Sequence, residues 1–377
     1  MNDSYFFDSL EIVNPDYSGK RYNARQHINL SQFAWDIIEN DMFIFKGYDC
    51  ELSTIINLII QKYAPYSDAN FCVYYKKFTS SLQPLFSTLT LSADDIETAN
   101  ITLLKNAIDT HYNTYYRHPK EVGKKIHLSN TSVNTLLTIG RNLTASLNNG
   151  NIPDIPDDIM YHYKRLGLFL TAVIEDYVTR PFFEREKYIL SDHIETIESA
   201  INTGTILKAT HANGKTLYIK PYLINLNKQK TYYYVCGYFS HDGINYYNKP
   251  SSTKLSNLIR IDDSFETFKF SKEKLAMINK RIQTDEIQFI SSSDRLSPDF
   301  IKVYLTDAGI RTYRQIGNIR PQYTHIEDKH FYFFDCTEIQ AFYYFQSFGK
   351  DAVILEPGSL REKMKDFHEK GAEAYSK

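Results

Sequence analysis

The sequence has little cysteine, no long apolar run and almost no net charge. The four cysteines are Cys50, Cys72, Cys236 and Cys336. They are scattered and form no C-x-x-C pair, so neither a zinc site nor a disulfide framework is indicated. The best apolar run, LFLTAVI at 168–174, is far shorter than the roughly 18 residues that a membrane helix needs. The start, MNDSYFFDSLE, carries acids where a signal peptide has lysine or arginine, so we expect a cytoplasmic protein without membrane contact.

Motifs of catalysis are also missing. The chain contains no H-E-x-x-H, G-x-S-x-G or G-x-G-x-x-G pattern. The GKT at 214–216 resembles a Walker A ending, but Ala209 stands where the first glycine is required. Two adjacent acid and histidine pairs, Asp192 with His193 and His241 with Asp242, are expected to be cap and turn residues. We therefore predict a protein that is not an enzyme and uses no metal or cofactor.

Length and composition predict a multidomain α+β protein. The chain has 377 residues, 42% hydrophobic and 23% charged, which is typical of a globular protein of two to four domains. Changes of pattern along the chain divide it into five segments. These are a tail (1–20), a strand and two helices (21–90), a helical linker (91–190), a domain of short strands (191–270) and a C-terminal extension (271–377) considered as a dimerisation domain.

The formal net charge of −2 hides a basic segment. Between Ser199 and Ile261 there is one acid, Asp242, so this segment has 8 − 1 = +7 and the rest has −9. Its eight bases are Lys208, Lys215, Lys220, Lys228, Lys230, Lys249, Lys254 and Arg260. A local cationic surface can bind a phosphate backbone even on a slightly acidic protein. The alternative is that these lysines are exposed strand ends on a solvated sheet.

The stretch RQHINLS, near the N-terminus, predicts a short strand with one solvent-exposed face. Ile28 and Leu30 fall on one face, and His27 and Asn29 fall on the other. Ser31 can cap a following helix, QFAWDIIENDM, and a second, mostly apolar helix follows at TIINLIIQKY.

This order resembles the ribbon-helix-helix fold, in which two copies pair their strands into a ribbon that lies on nucleic acid. The resemblance implies that Arg25, His27 and Asn29 face the ligand. The alternative is a helical hairpin that docks on its own chain.

Residues 91–190 are predicted to be helical, with helices at 93–116, 130–147 and 157–178 and a capping-box-like start at Ser92. The stretch 121–143 resembles a helix-turn-helix. It would have a short helix, a turn near His127 and a Ser129-capped helix that offers Asn130, Thr131 and Asn134 to a major groove. Any pair of packed helices can match such a pattern, and that alternative remains.

From residue 191 the sequence predicts one helix followed by short antiparallel strands at about ten-residue spacing. The strands are predicted at TILKATH, TLYIKPYLINL, TYYYVCGYFS and near TKLSNLIRI. Asn213-Gly214 and Asp242-Gly243 are typical of tight turns between strands. We predict a small sheet or a partly open barrel of the Sm-like or SH3-like kind.

Two regions resemble the WYL domain family, named for Trp-Tyr-Leu. Tyr233–Val235 stands at the tripeptide, after Pro221, and KLSNL at 254–258 stands where the family has Arg-Leu-x-Arg-Ile, so that lysine and asparagine replace the two arginines. Residues 338–375 are similar to the extension that follows WYL domains, with a helix, SFG, a strand, Glu-Pro and a last helix. The resemblance covers about half the chain and implies a ligand-responsive regulator.

The tyrosine stretch at 231–239 suggests how a ligand could be held. Alternation puts Tyr232, Tyr234 and Cys236 on one face of a strand, where the rings can lie beside Lys220 and Lys254. Further rings that could extend this surface are Tyr222, Tyr238, Tyr246 and Tyr247. Aromatic rings flanked by cations bind single-stranded nucleic acid. The alternative is that the tyrosines are ordinary strand residues, because tyrosine has high strand propensity.

A ribbon-helix-helix segment joined to a WYL domain is similar to the accessory proteins of type VI-D CRISPR systems. The resemblance implies a homodimer that binds single-stranded RNA and enhances an RNA-guided RNA nuclease. The alternative is a DNA-binding transcriptional regulator with a WYL sensor. The candidate nucleic-acid-binding residues are Lys208, His211, Lys220, Tyr222, Tyr232, Tyr234, Lys254, Asn257, Arg260, Arg25, His27 and Asn29.

Overall fold

The protein is described by a computed structural model with mixed α+β architecture. It describes residues 24–46, 51–86, 93–117, 122–152, 154–284, 287–290, 300–316, 320–321 and 323–376. Within this part there are three small antiparallel sheets. The chain divides into two compact units, Met1–Ser191 and Asp192–Lys377. The predicted tail and the predicted cap at Ser92 lie outside the described residues.

Unit 1 is built on a two-stranded ribbon. Strand β1 (Ala24–Leu30) pairs antiparallel with strand β2 (Val122–Leu128). Its helices are α1 (Gln32–Lys46), α2 (Leu52–Lys62), α3 (Phe71–Phe86), α4 (Ala93–Tyr115), α5 (Asn130–Asn148), α6 (Asp157–Lys164), α7 (Leu166–Thr179) and α8 (Phe182–Ile189). The predicted order of a strand and two helices at the N-terminus is therefore found. The predicted helix at 157–178 is two helices, α6 and α7, interrupted at Arg165.

Two predictions for this unit are wrong. The partner of β1 is β2 of the same chain, whereas the ribbon-helix-helix resemblance implied the strand of a second copy. Residues 122–128 also form a strand, so the first helix of the predicted helix-turn-helix does not exist. These residues form a strand because side chains that pack in the core alternate with side chains that face solvent. Ile126 and Leu128 are buried, and His127 between them is exposed. The predicted Ser129 cap and the helix after it, α5, are present.

The two strands of the ribbon belong to an internal repeat with an offset of 129 − 31 = 98 residues. Each strand ends at a serine that caps the next helix. The Ser31 hydroxyl accepts a hydrogen bond from the Ala34 backbone N–H at 3.2 Å, and the Ser129 hydroxyl accepts one from Ser132 at 3.2 Å. The register places His27 opposite Lys125 at the centre, which makes the ribbon symmetric about this pair.

The repeat extends into the core. Residues that correspond at the same offset are buried in both halves, namely Ile28 and Ile126, Leu30 and Leu128, Trp35 and Val133, Ile38 and Leu136, and Phe45 and Leu143. The ribbon and the helix that follows each strand are thus packed as two similar halves of one chain.

Helix α2 is covered by its own chain. Ile55, Ile56, Ile59 and Ile60 are each 0% exposed, and the helix packs against α1, α5, α7 and α8. The predicted homodimer would offer a second copy to cover this apolar helix, but the helices of unit 1 already bury it. It therefore gives no support to the predicted homodimer.

Unit 2 starts at the second residue of helix α9 (Ser191–Thr203), which is followed by a five-stranded antiparallel sheet of order β6-β5-β4-β3-β7. The strands are β3 (Thr205–His211), β4 (Thr216–Leu226), β5 (Tyr233–Ser240), β6 (Ser251–Lys254) and β7 (Leu258–Thr267). The two predicted turns contain Gly214 and Gly243, both at φ 79°, a left-handed conformation that glycine adopts without strain.

The segment near TKLSNLIRI is two strands rather than one, because a 3-10 turn at Leu255–Asn257 separates β6 from β7. These two strands form opposite edges of the sheet. Among the described residues the sheet is therefore open, and a closed barrel is not formed.

The C-terminal part contains a four-stranded sheet of order β11-β8-β10-β9, preceded by helix α10 (Lys272–Thr284). Its elements are β8 (Ile301–Leu305), α11 (Asp307–Gln315), β9 (Tyr323–Glu327), β10 (Phe331–Phe334), α12 (Glu338–Phe345), β11 (Ala352–Glu356) and α13 (Gly358–Tyr375). The predicted order at 338–375 of a helix, SFG, a strand, Glu-Pro and a last helix is confirmed. In the described residues, no helix is both long and apolar enough to cross a membrane.

Candidate nucleic-acid interface

One face of the five-stranded sheet in unit 2 carries most of the predicted site residues. Lys220 lies opposite Tyr238 across β4 and β5, and Lys254 lies opposite Tyr234 across β5 and β6. Lys208 lies opposite Asp262. Because side chains alternate along a strand, these residues and Arg260 point to the same side. We call this side the cationic face.

Two lysines of the cationic face stack on tyrosine rings. The ammonium nitrogen of Lys220 lies 3.7 Å from the centre of the Tyr246 ring, and that of Lys254 lies 3.6 Å from the centre of the Tyr232 ring. All four side chains are partly exposed. Each pair therefore combines a positive charge with an aromatic surface, an arrangement that is attractive in itself and leaves both groups within reach of solvent.

Lys274, which was not among the predicted site residues, lies near Lys220 and affects its pKa. Burial lowers the pKa of Lys220, and the neighbouring Lys274 ammonium lowers it further, while Glu266 opposes the shift. Burial raises the pKa of Tyr246 to about 12, so its phenol stays protonated at neutral pH. Its hydroxyl oxygen is buried and has no hydrogen-bond partner among the described residues. Lys274 belongs to α10, beyond the predicted domain boundary at 270. No sequence pattern near Lys274 predicts a contact with this sheet.

Helix α10 covers the middle of the cationic face. Tyr238 is 0% exposed and its hydroxyl donates to the Lys274 carbonyl at 3.0 Å. The hydroxyl of Tyr222 donates to Asn279 Oδ1 at 2.7 Å. Tyr234 is only 8% exposed, so its ring cannot stack on a base as predicted. The expected continuous surface of tyrosines is therefore interrupted, and the rings of Tyr232 and Tyr246 remain accessible on this face.

The charge of the sheet is smaller than the basic segment suggested. Strand β7 continues past residue 261 with Asp262, Asp263 and Glu266, so residues 199–267 have +7 − 3 = +4. Arg260 forms an ion pair with Asp262 at 2.9 Å, in which both side chains are largely exposed. The charges of Arg260 and Lys208 are thus partly offset by one carboxylate, whereas Lys220 and Lys254 lie further along the sheet.

Two predicted residues lie away from the cationic face. His211 lines a polar pocket formed by the ends of β3, β4 and β5. Asn257 is in the 3-10 turn between β6 and β7, where its carbonyl accepts a hydrogen bond from the Ala212 backbone N–H at 2.7 Å. The structure therefore does not bring these two residues together with Lys220 and Lys254.

The ribbon of unit 1 forms a second polar surface. Arg25, His27 and Asn29 are all exposed and share the face of β1 opposite the core. The pairing with β2 adds Lys125 and His127, both exposed, to the same face. The repeated INLS and IHLS at 28–31 and 126–129 is the sequence signal that could have identified these two residues.

Gly123 shapes the ribbon surface. It lies opposite Asn29, and a Cβ atom at this position would be 2.6 Å from both the Asn29 Oδ1 atom and the His27 Nε2 atom. Glycine therefore allows the two side chains of β1 to lie across β2. In the described residues no group of three or more acidic, histidine or cysteine side chains could hold a metal ion.

Comparisons with known proteins identify a fold. No family model and no curated protein matches the chain. A solved structure described as a CRISPR Cas-related protein is similar over 100% of this chain and 99% of its own, with 23% identity and a TM-score of 0.62. The proteasome accessory factor B/C of Arthrobacter aurescens matches 66% of this chain and 36% of its own, with 15% identity and a TM-score of 0.28. The chain thus shares its fold, over the full length, with the first of these proteins.

Proposed function

We propose that the protein is a non-catalytic accessory protein of a CRISPR system that binds single-stranded RNA and modulates an RNA-guided, RNA-targeting effector. The observation that carries the proposal is the pair of lysine–tyrosine stacks on the cationic face, Lys220 on Tyr246 and Lys254 on Tyr232. The protein recognises RNA by offering a ring for a base and an ammonium group for the adjoining phosphate at each of these two places.

The geometry favours an unpaired strand. A base that stacks on an aromatic ring contributes roughly 1 to 3 kcal/mol, and only an unpaired base can turn its flat surface toward the protein. The covered middle of the face, where Tyr238 and Tyr222 contact α10, separates the two stacks. A flexible single strand can follow such a surface between two contacts, whereas a duplex keeps its bases inside the helix.

The association with CRISPR rests on a different observation. The likeness to a CRISPR Cas-related protein extends from one end of the chain to the other, so it includes the strands, the helical linker and the C-terminal sheet together. A shared architecture over this length supports a related role. The resemblance of Tyr233–Val235 and of residues 338–375 to WYL proteins agrees with this proposal.

The C-terminal part supplies the surface for the proposed homodimer. Helix α12 buries Phe342 and Phe345 in its own core but leaves Ile339 43% and Tyr343 54% exposed. Phe367 of α13 packs beside Phe342 and is 44% exposed. These three side chains form an apolar patch that a second copy would cover.

The test is binding of labelled single-stranded RNA at several salt concentrations. Exchanging Lys220 and Lys254 for glutamate should weaken binding at least tenfold, because two phosphate contacts become repulsive. The slope of log K against log salt should fall by about 1.4, since each phosphate contact contributes about 0.7 for a single strand.

A matched control shows whether the loss of RNA binding depends on the position of the two reversed charges. Lys365→Glu with Lys370→Glu makes the same change on α13, where both lysines are exposed and pair with acids one turn away. This control should bind RNA as the unaltered protein does. Equal affinity of the two double variants would remove the cationic face as the RNA site.

The second candidate function is a DNA-binding transcriptional regulator, and the ribbon favours it. Arg25, His27 and Asn29 share one exposed face with Lys125 and His127. A two-stranded ribbon fits the major groove of a duplex. If this function is correct, Arg25→Ala with Lys125→Ala should abolish binding of duplex DNA, and the exchange of Lys220 and Lys254 should leave it unchanged.

A further inference from the structure

A polar pocket lies at one end of the five-stranded sheet. Leu217 and Phe239, which line it, are an odd number of residues from Lys220 and Tyr238 along their strands and so point away from the cationic face. The pocket is formed where β3, β4 and β5 reach their turns and where β6 begins, and its volume is about 210 Å³. The residues that line it are His211, Asn213, Lys215, Thr216, Leu217, Phe239, His241, Tyr247, Ser251, Ser252 and Thr253. Pockets for drug-sized ligands are usually about 300 Å³ or larger, so this one suits a smaller ligand or part of a larger one.

The charge in the pocket is of one sign. Lys215, His211 and His241 contribute nitrogen groups, and none of the lining residues is a carboxylate. The acid next in sequence to His241 is Asp242, which accepts hydrogen bonds from the Ser240 hydroxyl and from backbone N–H groups of the turn. The pocket is therefore suited to an anion.

The two imidazoles are oriented by backbone groups. Nδ1 of His211 accepts a hydrogen bond from the Asn213 N–H at 3.3 Å, so the neutral ring carries its proton on Nε2 and can donate from there. Nδ1 of His241 lies 3.3 Å from the Thr216 carbonyl, which can only accept, so His241 carries a proton on Nδ1. Nε2 of the neutral His241 ring is then free of a proton and can accept a hydrogen bond from a hydroxyl group of a ligand.

The remaining walls provide hydroxyl groups and an apolar floor. Thr216, Ser251 and Thr253 add hydroxyls, and the floor consists of Leu217 and Phe239, which are 6% and 4% exposed. The Tyr247 ring meets the His241 ring edge to face, with 5.8 Å between centroids. An ammonium group, an imidazole N–H donor, hydroxyl groups and one partly exposed ring together can bind the phosphate ester of a small organic molecule.

We propose that this pocket binds a phosphate monoester, with the phosphoryl group beside Lys215 and His211 and the attached sugar against His241, Phe239 and Tyr247. Such a group carries a charge near −2 at neutral pH and offers three acceptor oxygens, which match the Lys215 ammonium, the Nε2–H of His211 and the hydroxyl groups of the walls. The floor of the site, Leu217 and Phe239, points away from Lys220 and Lys254. RNA on the cationic face and a monoester in the pocket can therefore be bound at the same time.

Calorimetric titration of the full chain tests the proposal, with ribose 5-phosphate as the probe and ribose as its uncharged counterpart. We expect ribose 5-phosphate to bind and ribose to give no signal. His211→Ala with Lys215→Ala should weaken ribose 5-phosphate binding at least tenfold. Lys228→Ala, at an exposed lysine in the turn between β4 and β5, serves as the matched control and should bind as the unaltered protein does.

Two further measurements identify the source of the phosphoryl group. A short RNA with a 5′-phosphate should bind the Lys220→Glu and Lys254→Glu variant if the pocket takes a strand end, and the same RNA with a 5′-hydroxyl should not. If only ribose 5-phosphate binds that variant, the ligand is a small phosphorylated molecule. Both results support the pocket.

The proposal is overturned if ribose 5-phosphate does not bind, or if the His211→Ala and Lys215→Ala variant binds it with unchanged affinity. Inorganic phosphate that binds as tightly as ribose 5-phosphate would also refute it, because the floor would then contribute nothing. A circular dichroism spectrum and an unfolding temperature equal to those of the unaltered protein show that the pocket variant is folded, so this test does not depend on RNA binding by the cationic face.

Discussion

Acidification should destabilise unit 1 through one buried histidine. His111 is 0% exposed, and both of its ring nitrogens are used. Nε2 donates to the Asp68 carbonyl at 2.8 Å, and Nδ1 accepts from the Tyr163 hydroxyl at 2.6 Å. A neutral ring satisfies both contacts. A second proton would turn Nδ1 into a donor facing the Tyr163 hydroxyl, which would have to reverse its hydrogen bond.

The pKa of His111 gives the size of this loss of stability. Burial lowers the pKa of His111 from 6.5 to about 4, although the carbonyl and charge of Asp68 oppose the shift. Between these two values the unfolded chain binds a proton that the folded chain does not bind, so the contribution to stability is complete above 6.5 and is lost as the pH falls. At 1.36 kcal/mol per pH unit, the whole interval corresponds to about 3 kcal/mol.

Urea unfolding at several pH values measures this loss against a matched variant. His111→Gln keeps a donor for the Asp68 carbonyl and an acceptor for the Tyr163 hydroxyl but cannot be protonated. Between about pH 7 and pH 5, the unaltered protein should lose about 2 kcal/mol more than the variant. Parallel pH profiles for the two proteins would refute the reasoning, whatever the absolute stability of the variant.

Two further predictions concern the repeat and the oligomer. Ser31→Ala and Ser129→Ala should each reduce the free energy of unfolding by about 1 kcal/mol, while glycine at either position should cost only about 0.3 kcal/mol. Similar losses in urea titrations at the two sites would agree with matching caps, and no loss at one site would contradict it. Exchanging Ile339 and Tyr343 for serine should convert the proposed dimer to a monomer in sedimentation, with α12 still folded, because both side chains are exposed in one chain. A dimer that persists would place the contact elsewhere.

Local patterns predicted the sheet of unit 2 well. Strands β3 and β4 have the predicted bounds, and the Asn213-Gly214 and Asp242-Gly243 turns contain glycines with positive φ. Lys220 and Lys254, which were expected to lie beside the tyrosine rings, are on one face of the sheet. These features depend on neighbours within about ten residues, and such neighbours are visible in the sequence.

Contacts between distant segments were not predicted. Strand β2 was assigned to a helix because only Ile126 and Leu128 show its alternation, and its pairing with β1 spans nearly a hundred residues. The burial of Tyr234 and Tyr238 likewise depends on tertiary packing, to which α10 contributes by covering Tyr238 from beyond the expected domain boundary. Aromatic residues in a strand look the same in sequence whether water or a helix covers them.

In a ribbon formed by two identical subunits, each side chain occurs twice. A DNA sequence that such a ribbon prefers must therefore be a palindrome. Here separate codons specify Arg25, His27 and Asn29 on one strand and Gly123, Lys125 and His127 on the other. A change to either set leaves its counterpart untouched. The two strands can therefore carry different side chains, and a partner of this ribbon does not need two-fold symmetry.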